Sequence, residues 1–270
     1  MEWDVWWLAY PLLGAVVGFF AGLLGIGGGG ITVPMLTTLF LYQGFSSENT
    51  VRMALGTSMA AIVLTSLSSM RAHHAHAAVR WDIFRGMVPG IVFGTFSGTF
   101  VAALIPGMPL AIFFCVFMGY VSLMMMTNLK PRPSRTLPGK TGLAAVGLGI
   151  GGVSSLVAIG GGVLMVPFMT WCNVDVRKAI GTSAAIGFPL ALSGALGYLW
   201  NGWSMHDLPR YSAGFIYLPA LILMTMVSVV TAPVGARLAH RLPVPILKKV
   251  FACILLLLCA KMLYNLKIFS

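Results

Sequence analysis

The sequence predicts an all-α polytopic membrane protein that is built from two inverted-topology repeats. Three observations support this fold class: the chain is strongly apolar, its basic residues fall in short loops, and its motifs occur twice. Of the 270 residues, 58% are hydrophobic and 9% are charged, and the mean hydropathy is +0.92. Apolar runs of about 18 residues or more are typical of transmembrane helices. The clearest runs cover 51–70, 83–104, 110–126, 179–199, 211–236 and 250–266.

The formal net charge of +11 marks one side of a membrane and not a nucleic-acid interface. Lys and Arg residues concentrate in short loops between the apolar runs, at 71–85, 128–140 and 237–249. Basic loops of multi-pass proteins stay in the cytoplasm, so we expect these three loops there. The loops at 104–109 and 200–210 carry little charge. We expect them outside, together with both termini.

Two motifs occur twice, in the same order along the chain. The stretch GIGGGGITVPMLT at 25–37 is matched by AIGGGVLMVPFMT at 158–170. The stretch VRMALGTSMAA at 51–61 is matched by VRKAIGTSAAI at 176–186. Two matched motifs in one order indicate an internal repeat. A third and weaker match relates Gly98 and Pro106 to Gly235 and Pro243, 137 positions later.

The matches divide one integral membrane domain into an N-terminal repeat, 1–127, and a C-terminal repeat, 141–270. The segment between them, 128–140, contains four basic residues and three prolines. Proline removes a helix hydrogen bond and clashes with the preceding turn, so we expect a cytoplasmic linker there.

Each half contains three apolar runs that cross the membrane and one apolar segment, 5–42 or 142–173, that returns to the side it came from. Glycines interrupt both segments, and a glycine in a helix costs about 1 kcal/mol relative to alanine. As a helix, residues 31–42 would be about 18 Å long, against a bilayer core of about 30 Å. We therefore expect the glycine break near mid-depth. The odd number of crossings in each half gives the two halves opposite orientations.

The motifs resemble those of a known transporter family. The pattern GxxxGxxGIGGGxxxVPxL, the doubled AxGTS and the segment 214–243 are similar to the TauE/SafE family, also called TSUP transporters, over essentially the whole chain. The resemblance implies a secondary transporter in the bacterial inner membrane. It also implies a small sulfur-containing anion as substrate: sulfite, thiosulfate, or an organosulfonate such as sulfoacetate. The sequence departs from the family pattern in a fourth glycine in the first motif and in a histidine-rich loop.

The chemistry of the broken helices also suits an anion. A helix that restarts at a break presents free N–H groups and a partial positive charge, and glycine lets a ligand approach the backbone closely. Hydroxyl groups beside the break add uncharged donors. The alternatives are that the glycines serve helix packing alone and that the hydroxyls bond to their own helix carbonyls. The residues expected to bind substrate are Gly27, Gly28, Gly29, Gly30, Thr57, Ser58, Gly160, Gly161, Gly162, Thr182 and Ser183.

Three further positions carry expectations. Arg52 and Arg177 precede the two GTS segments, and each is either an interfacial anchor that extends to the membrane surface or a vestibule residue that attracts anions. Gly119, on an apolar run, is expected to serve packing only.

Two other functions remain open from the sequence. One is an anion channel on the same scaffold. The other is a metal-handling membrane protein or membrane enzyme that uses His73, His74 and His76. No Walker-type motif or catalytic set is recognisable, so we expect no cofactor and no enzymatic activity. No acid lies within an apolar run, and we therefore expect no carboxylate proton relay. The sequence leaves the oligomeric state open.

Overall fold

The computed structural model describes residues 6–24, 28–75, 77–127, 134–205, 207–239 and 244–269. In these residues the chain forms ten α-helices and one short β-hairpin. The helices are α1 (Trp6–Leu24), α2 (Gly29–Tyr42), α3 (Ser47–Ala75), α4 (Trp81–Leu104), α5 (Gly107–Thr127), α6 (Lys140–Val157), α7 (Gly162–Trp171), α8 (Val176–Gly202), α9 (Leu218–Ala239) and α10 (Val244–Phe269), and the strands are β1 (Ser212–Ala213) and β2 (Ile216–Tyr217).

Six helices of the described residues are long and apolar enough to cross a membrane. They are α3, α4, α5, α6, α8 and α10. This confirms an all-α, multi-pass membrane protein. The spans α3 and α8 are the most deeply buried of the six, and they carry the two GTS segments.

Two predicted elements differ from the structure. The run expected to span 211–236 becomes helical only at Leu218, because strands β1 and β2 pair antiparallel around a turn. Gly214 forms that turn with a φ of 54°, a left-handed conformation that glycine adopts without strain. The segment 142–173 was expected to bend near mid-depth, but its first arm, α6, is long enough to span a membrane.

The glycine motifs do interrupt helices in both halves. Helix α2 follows Gly28, whose φ is 70°, and α7 follows Gly161, whose φ is 69°. A side chain strains this left-handed backbone, so glycine is favoured at both positions. The two restarted helices have 14 and 10 residues, or about 21 and 15 Å, and neither is long enough to cross the bilayer core.

The helices of the two halves correspond in position and in packing. Helices α4 and α9 begin 137 positions apart, and so do α5 and α10. That is the spacing of the weak third sequence match. Helix α1 packs along α9, and its counterpart α6 packs along α4; α3 packs on α8, and α5 on α10. The halves are therefore intertwined through matched pairs, while their opposite orientation and the repeat boundaries remain predictions.

Glycines make the closest of these helix contacts. A side chain at Gly90 or Gly94 on α4 would overlap the backbone of α6, and a side chain at Gly14 or Gly18 on α1 would overlap the backbone of α9. Small residues allow membrane helices to approach closely. At these four positions packing alone explains the glycine.

The loop charges lead to a labelling experiment. In a cysteine-free background, we expect single cysteines placed in 71–85 and in 128–140 to react with an impermeant maleimide only after the cells are opened. A cysteine in 104–109 should react on intact cells. Reaction of a 128–140 cysteine on intact cells would overturn the predicted orientation.

Candidate functional site

The two glycine breaks meet in the interior. A side chain at Gly29, the first residue of α2, would overlap the carbonyl oxygen of Ala158, which ends α6. Ala158 itself has a left-handed φ of 46°. Between the breaks lies a small cavity. It is lined by Gly28, Gly30, Ile159 and Val163 from the breaks and by Met118, Val121, Phe251 and Leu255 from α5 and α10.

The cavity is small and its side chains are apolar. Its volume of about 10 Å³ is close to the least that a single water molecule occupies. The Ile31 N–H in α2 donates to the Gly28 carbonyl, and the Gly162 N–H in α7 donates to the Gly160 carbonyl. The N–H groups of Gly29, Gly30 and Val163 have no acceptor among the described residues, as is usual for the first turn of a helix, and they are the polar groups that the breaks supply. An oxyanion of sulfur is larger than water, so its entry requires that the helices around the breaks move apart.

The serines of the two GTS segments are buried without hydrogen-bond partners. Ser58 is 1% and Ser183 is 2% exposed, and neither Oγ atom has a partner in the described part of the chain. A side chain on Gly162 would lie 3.7 Å from Ser183 Oγ, so this hydroxyl faces the first turn of α7. Buried polar groups are almost always paired, and an unpaired one beside a helix N-terminus points to a ligand. Unpaired buried oxygens occur also at Thr37, Thr95, Ser122, Ser154 and Ser212.

The threonines of the GTS segments have backbone partners from distant segments. Thr57 Oγ1 accepts a hydrogen bond of 2.9 Å from the N–H of Tyr217. Thr182 Oγ1 accepts one of 2.9 Å from the N–H of Arg80. As acceptors, both hydroxyls keep their own O–H available for donation. Each threonine therefore connects its helix to the residue just before α9 or α4.

The two arginines lie in unlike surroundings. Arg52 is 4% exposed. Its Nη2 donates to the carbonyl of Ile105 at 2.9 Å, its Nη1 to Asn49 Oδ1 at 2.9 Å, and its Nε to the carbonyl of Ala102 at 3.4 Å. It thus caps the C-terminus of α4, where a cation is favourable, and its side chain is bonded inside the protein. Arg177 is exposed.

The other described candidates do not line the cavity. Gly27 and His76 are not among the described residues. His73 and His74 belong to the last turn of α3, and the His74 ring stacks edge-on against Trp81. The described residues include no group of three potential metal ligands. A side chain at Gly119 would meet open space, so the expectation that this glycine serves packing is wrong.

Known proteins match this chain over almost its whole length. The profile of the sulfite exporter TauE/SafE family matches residues 10–262. The chain belongs to the TauE/SafE family. It is similar to a probable membrane transporter protein of Haemophilus influenzae, with 37% identity over 254 residues that cover 93% of this chain and 96% of the relative. The family membership and the membrane-spanning helices make it a multi-pass membrane transporter, and the bacterial inner membrane is consistent with both.

Less similar relatives extend the same match. A probable membrane transporter protein of Methanocaldococcus jannaschii is 26% identical, with 87% of this chain and 88% of the relative covered. The probable membrane transporter protein YdhB of Bacillus subtilis is also 26% identical, with 88% and 90% covered. In each case the match is long enough to include residues of both halves of this chain.

The sequence analysis missed the contribution of α5 and α10 to the cavity. Met118 and Val121 on α5, and Phe251 and Leu255 on α10, are apolar like the lipid-facing residues beside them. Residue type alone therefore gave no signal. The third match did contain one, because its spacing makes α5 and α10 equivalent helices of the two halves, and these two helices pack against each other.

Proposed function

We propose that this TauE/SafE protein is a secondary carrier of a small sulfur-containing anion such as sulfite, thiosulfate or an organosulfonate, and that it is not an enzyme. The anion would bind between the two glycine breaks, held by N–H groups of α2 and α7 and by the hydroxyls of the GTS segments. The observation that carries the proposal is the unpaired, buried Ser183 hydroxyl beside the N-terminus of α7.

The distribution of charge supports an anionic ligand. The acids in the described residues, Glu48, Asp82, Asp175 and Asp207, are all exposed, so none of them opposes a negative charge at the breaks. Helix N-termini add fixed partial positive charge. Serine hydroxyls and backbone N–H groups can donate to sulfonate or sulfite oxygens without the desolvation that a buried ammonium or guanidinium group would require.

The proposal predicts a loss of affinity in Ser183→Ala. One hydrogen bond to a charged group is worth about 1.5–3 kcal/mol, so the dissociation constant for the preferred anion should rise about ten- to hundred-fold. Thermal shifts of the purified protein with sulfite, thiosulfate, sulfoacetate, taurine, sulfate and chloride identify that anion. Titration of the variant then gives the change in affinity.

Ser97→Ala is the matched control, because the Ser97 hydroxyl is exposed and bonds to its own helix at Phe93. It should leave affinity unchanged. If none of the six anions shifts the melting temperature of the wild-type protein, the proposed substrate class is wrong. Equal affinity in Ser183→Ala and the wild type would place the anion away from α7.

Carrier and channel mechanisms differ in counterflow. In proteoliposomes loaded with unlabelled anion, a carrier accumulates labelled anion transiently above its equilibrium level, and its flux saturates. A channel does neither. The cavity with room for about one water supports a carrier, because an open channel needs a continuous path.

A further inference from the structure

Two short segments each close on a GTS helix in the same way. Residues 77–80 precede α4. The carbonyl oxygen of Ala78 lies 2.5 Å from where a side chain on Gly181 would begin, and the N–H of Arg80 donates to Thr182 Oγ1. Glycine at 181 is therefore what allows this segment to lie directly on α8.

The segment 214–217, before α9, makes the same contacts with α3. The carbonyl oxygen of Phe215 lies 2.6 Å from where a side chain on Gly56 would begin, and the N–H of Tyr217 donates to Thr57 Oγ1. Each segment also starts with a left-handed residue: Ala77 has a φ of 51° and Gly214 a φ of 54°.

The equivalence of the two segments covers three of their four positions. The partners 77 and 214, 78 and 215, and 80 and 217 are each 137 positions apart, the spacing that also relates α4 to α9. Gly56 and Thr57 are 125 positions before Gly181 and Thr182, the spacing of the repeated GTS motif. Both segments therefore combine a left-handed first residue, a close carbonyl and a hydrogen bond to the threonine of a GTS segment.

We infer that these segments are two equivalent gates, one at each side of the central site. In each gate a threonine hydroxyl of the GTS helix holds the backbone N–H before the following helix. The inference rests on the proposed carrier function, since a carrier needs access from each side in turn. The segment 77–80 lies in a loop expected in the cytoplasm, and 214–217 follows a loop expected outside. With both hydrogen bonds formed, each segment lies against its GTS helix.

The outer gate is also connected to a glycine break. The ring of Tyr217 contacts Phe40 of α2 at 5.5 Å between centroids and Phe45 at 5.2 Å. Helix α2 begins at the break that lines the cavity. Tyr217 therefore packs on the same helix whose N-terminus would bind the anion. A shift of α2 on anion binding would change the packing of Tyr217 and so favour opening or closing of this gate.

Cysteine accessibility tests the gates. In a background without the four native cysteines, Val121→Cys places a thiol at the cavity. Thr57→Val keeps the shape of the side chain and removes the acceptor. We expect it to increase the rate of reaction with an impermeant methanethiosulfonate added outside by about two- to ten-fold, the range that one neutral hydrogen bond supports. Thr182→Val should increase the rate from the cytoplasmic side by the same factor.

Controls separate the gates from a general loosening. Thr57→Ser and Thr182→Ser restore the hydroxyl and should restore the wild-type rates. Thr65→Val and Thr170→Val, whose hydroxyls bond to their own helices at Ala61 and Val166, should change neither rate. An increase from both sides in Thr57→Val, or from neither, would overturn the inference.

Accessibility of the cysteine at position 121 and the thermal shifts of the wild-type protein together distinguish failure of the gates from failure of the proposed function. Opposite accessibility changes without a thermal shift from any of the six anions would retain the gates and reject the substrate class. Wild-type accessibility in both valine variants, with sulfite or a sulfonate still bound, would reject the gates and retain the carrier proposal.

Discussion

Gly29→Ala is expected to abolish anion binding and transport. The added methyl group would overlap the carbonyl oxygen of Ala158, so α2 and the end of α6 must separate. Overpacking in a filled interior costs about 1–3 kcal/mol, and the separation also displaces the N–H groups of α2 from the anion. Loss of two hydrogen bonds to a charged ligand, at about 1.5–3 kcal/mol each, lowers affinity by at least about hundred-fold. Counterflow in proteoliposomes and anion titration measure both effects.

Two further variants separate a loss of anion binding from a loss of folding. In Gly162→Ala the new methyl group would lie 3.7 Å from Ser183 Oγ, an ordinary contact. The protein should fold, but the methyl group occupies the space between the hydroxyl and α7, and binding should still be lost. Gly149→Ala adds a methyl group to α6 in open space and should bind as the wild type does. Wild-type transport in both Gly29→Ala and Gly162→Ala would leave the glycines with a packing role alone.

The sequence predicted the site's backbone better than its side-chain partners. A doubled GGG beside a doubled proline is a local signal, and the left-handed Gly28 and Gly161 follow from it directly. The two breaks are also in contact, at Gly29 and Ala158, although these two residues are not equivalent positions of the repeat.

The partners of Thr57 and Thr182 could not be predicted in the same way. Each bonds to a residue more than a hundred positions away, and nothing in an apolar helix indicates which loop will lie against it. The β-hairpin before α9 was missed for a related reason. Its residues are apolar enough to look like part of the membrane-spanning run. What keeps them out of helix α9 is the left-handed turn at Gly214 and the pairing of Ser212 and Ala213 with the second strand.

Arg52 and Arg177 are equivalent in the repeated sequence but differ in their surroundings. Arg52 and Arg177 hold the same position in the repeated VR motif, and the sequence treated them alike. The structure buries Arg52 against the end of α4 and leaves Arg177 exposed. The difference arises from the surrounding helices, because the carbonyls of Ala102 and Ile105 reach one arginine and no described hydrogen bond holds the side chain of the other.

Arg52→Met is accordingly expected to destabilise the protein strongly while Arg177→Met does not. The first substitution removes the arginine donor from the buried carbonyl of Ala102 and the half-buried carbonyl of Ile105, at about 1–3 kcal/mol for each group left unpaired. Relief of the buried guanidinium offsets part of this. A net loss of about 3 kcal/mol lowers the melting temperature in detergent by about 6–12 °C. The exposed Arg177→Met should change stability by no more than about 0.5 kcal/mol.

Anion affinity, measured on the same two variants, decides what Arg52 does. A residue that caps α4 changes the melting temperature without changing the affinity of the protein that remains folded. A vestibule residue does the reverse, and its effect on the rate of anion uptake weakens as salt screens the charge. An unchanged melting temperature together with a salt-dependent loss of uptake in Arg52→Met would therefore reject the capping role that its three hydrogen bonds indicate.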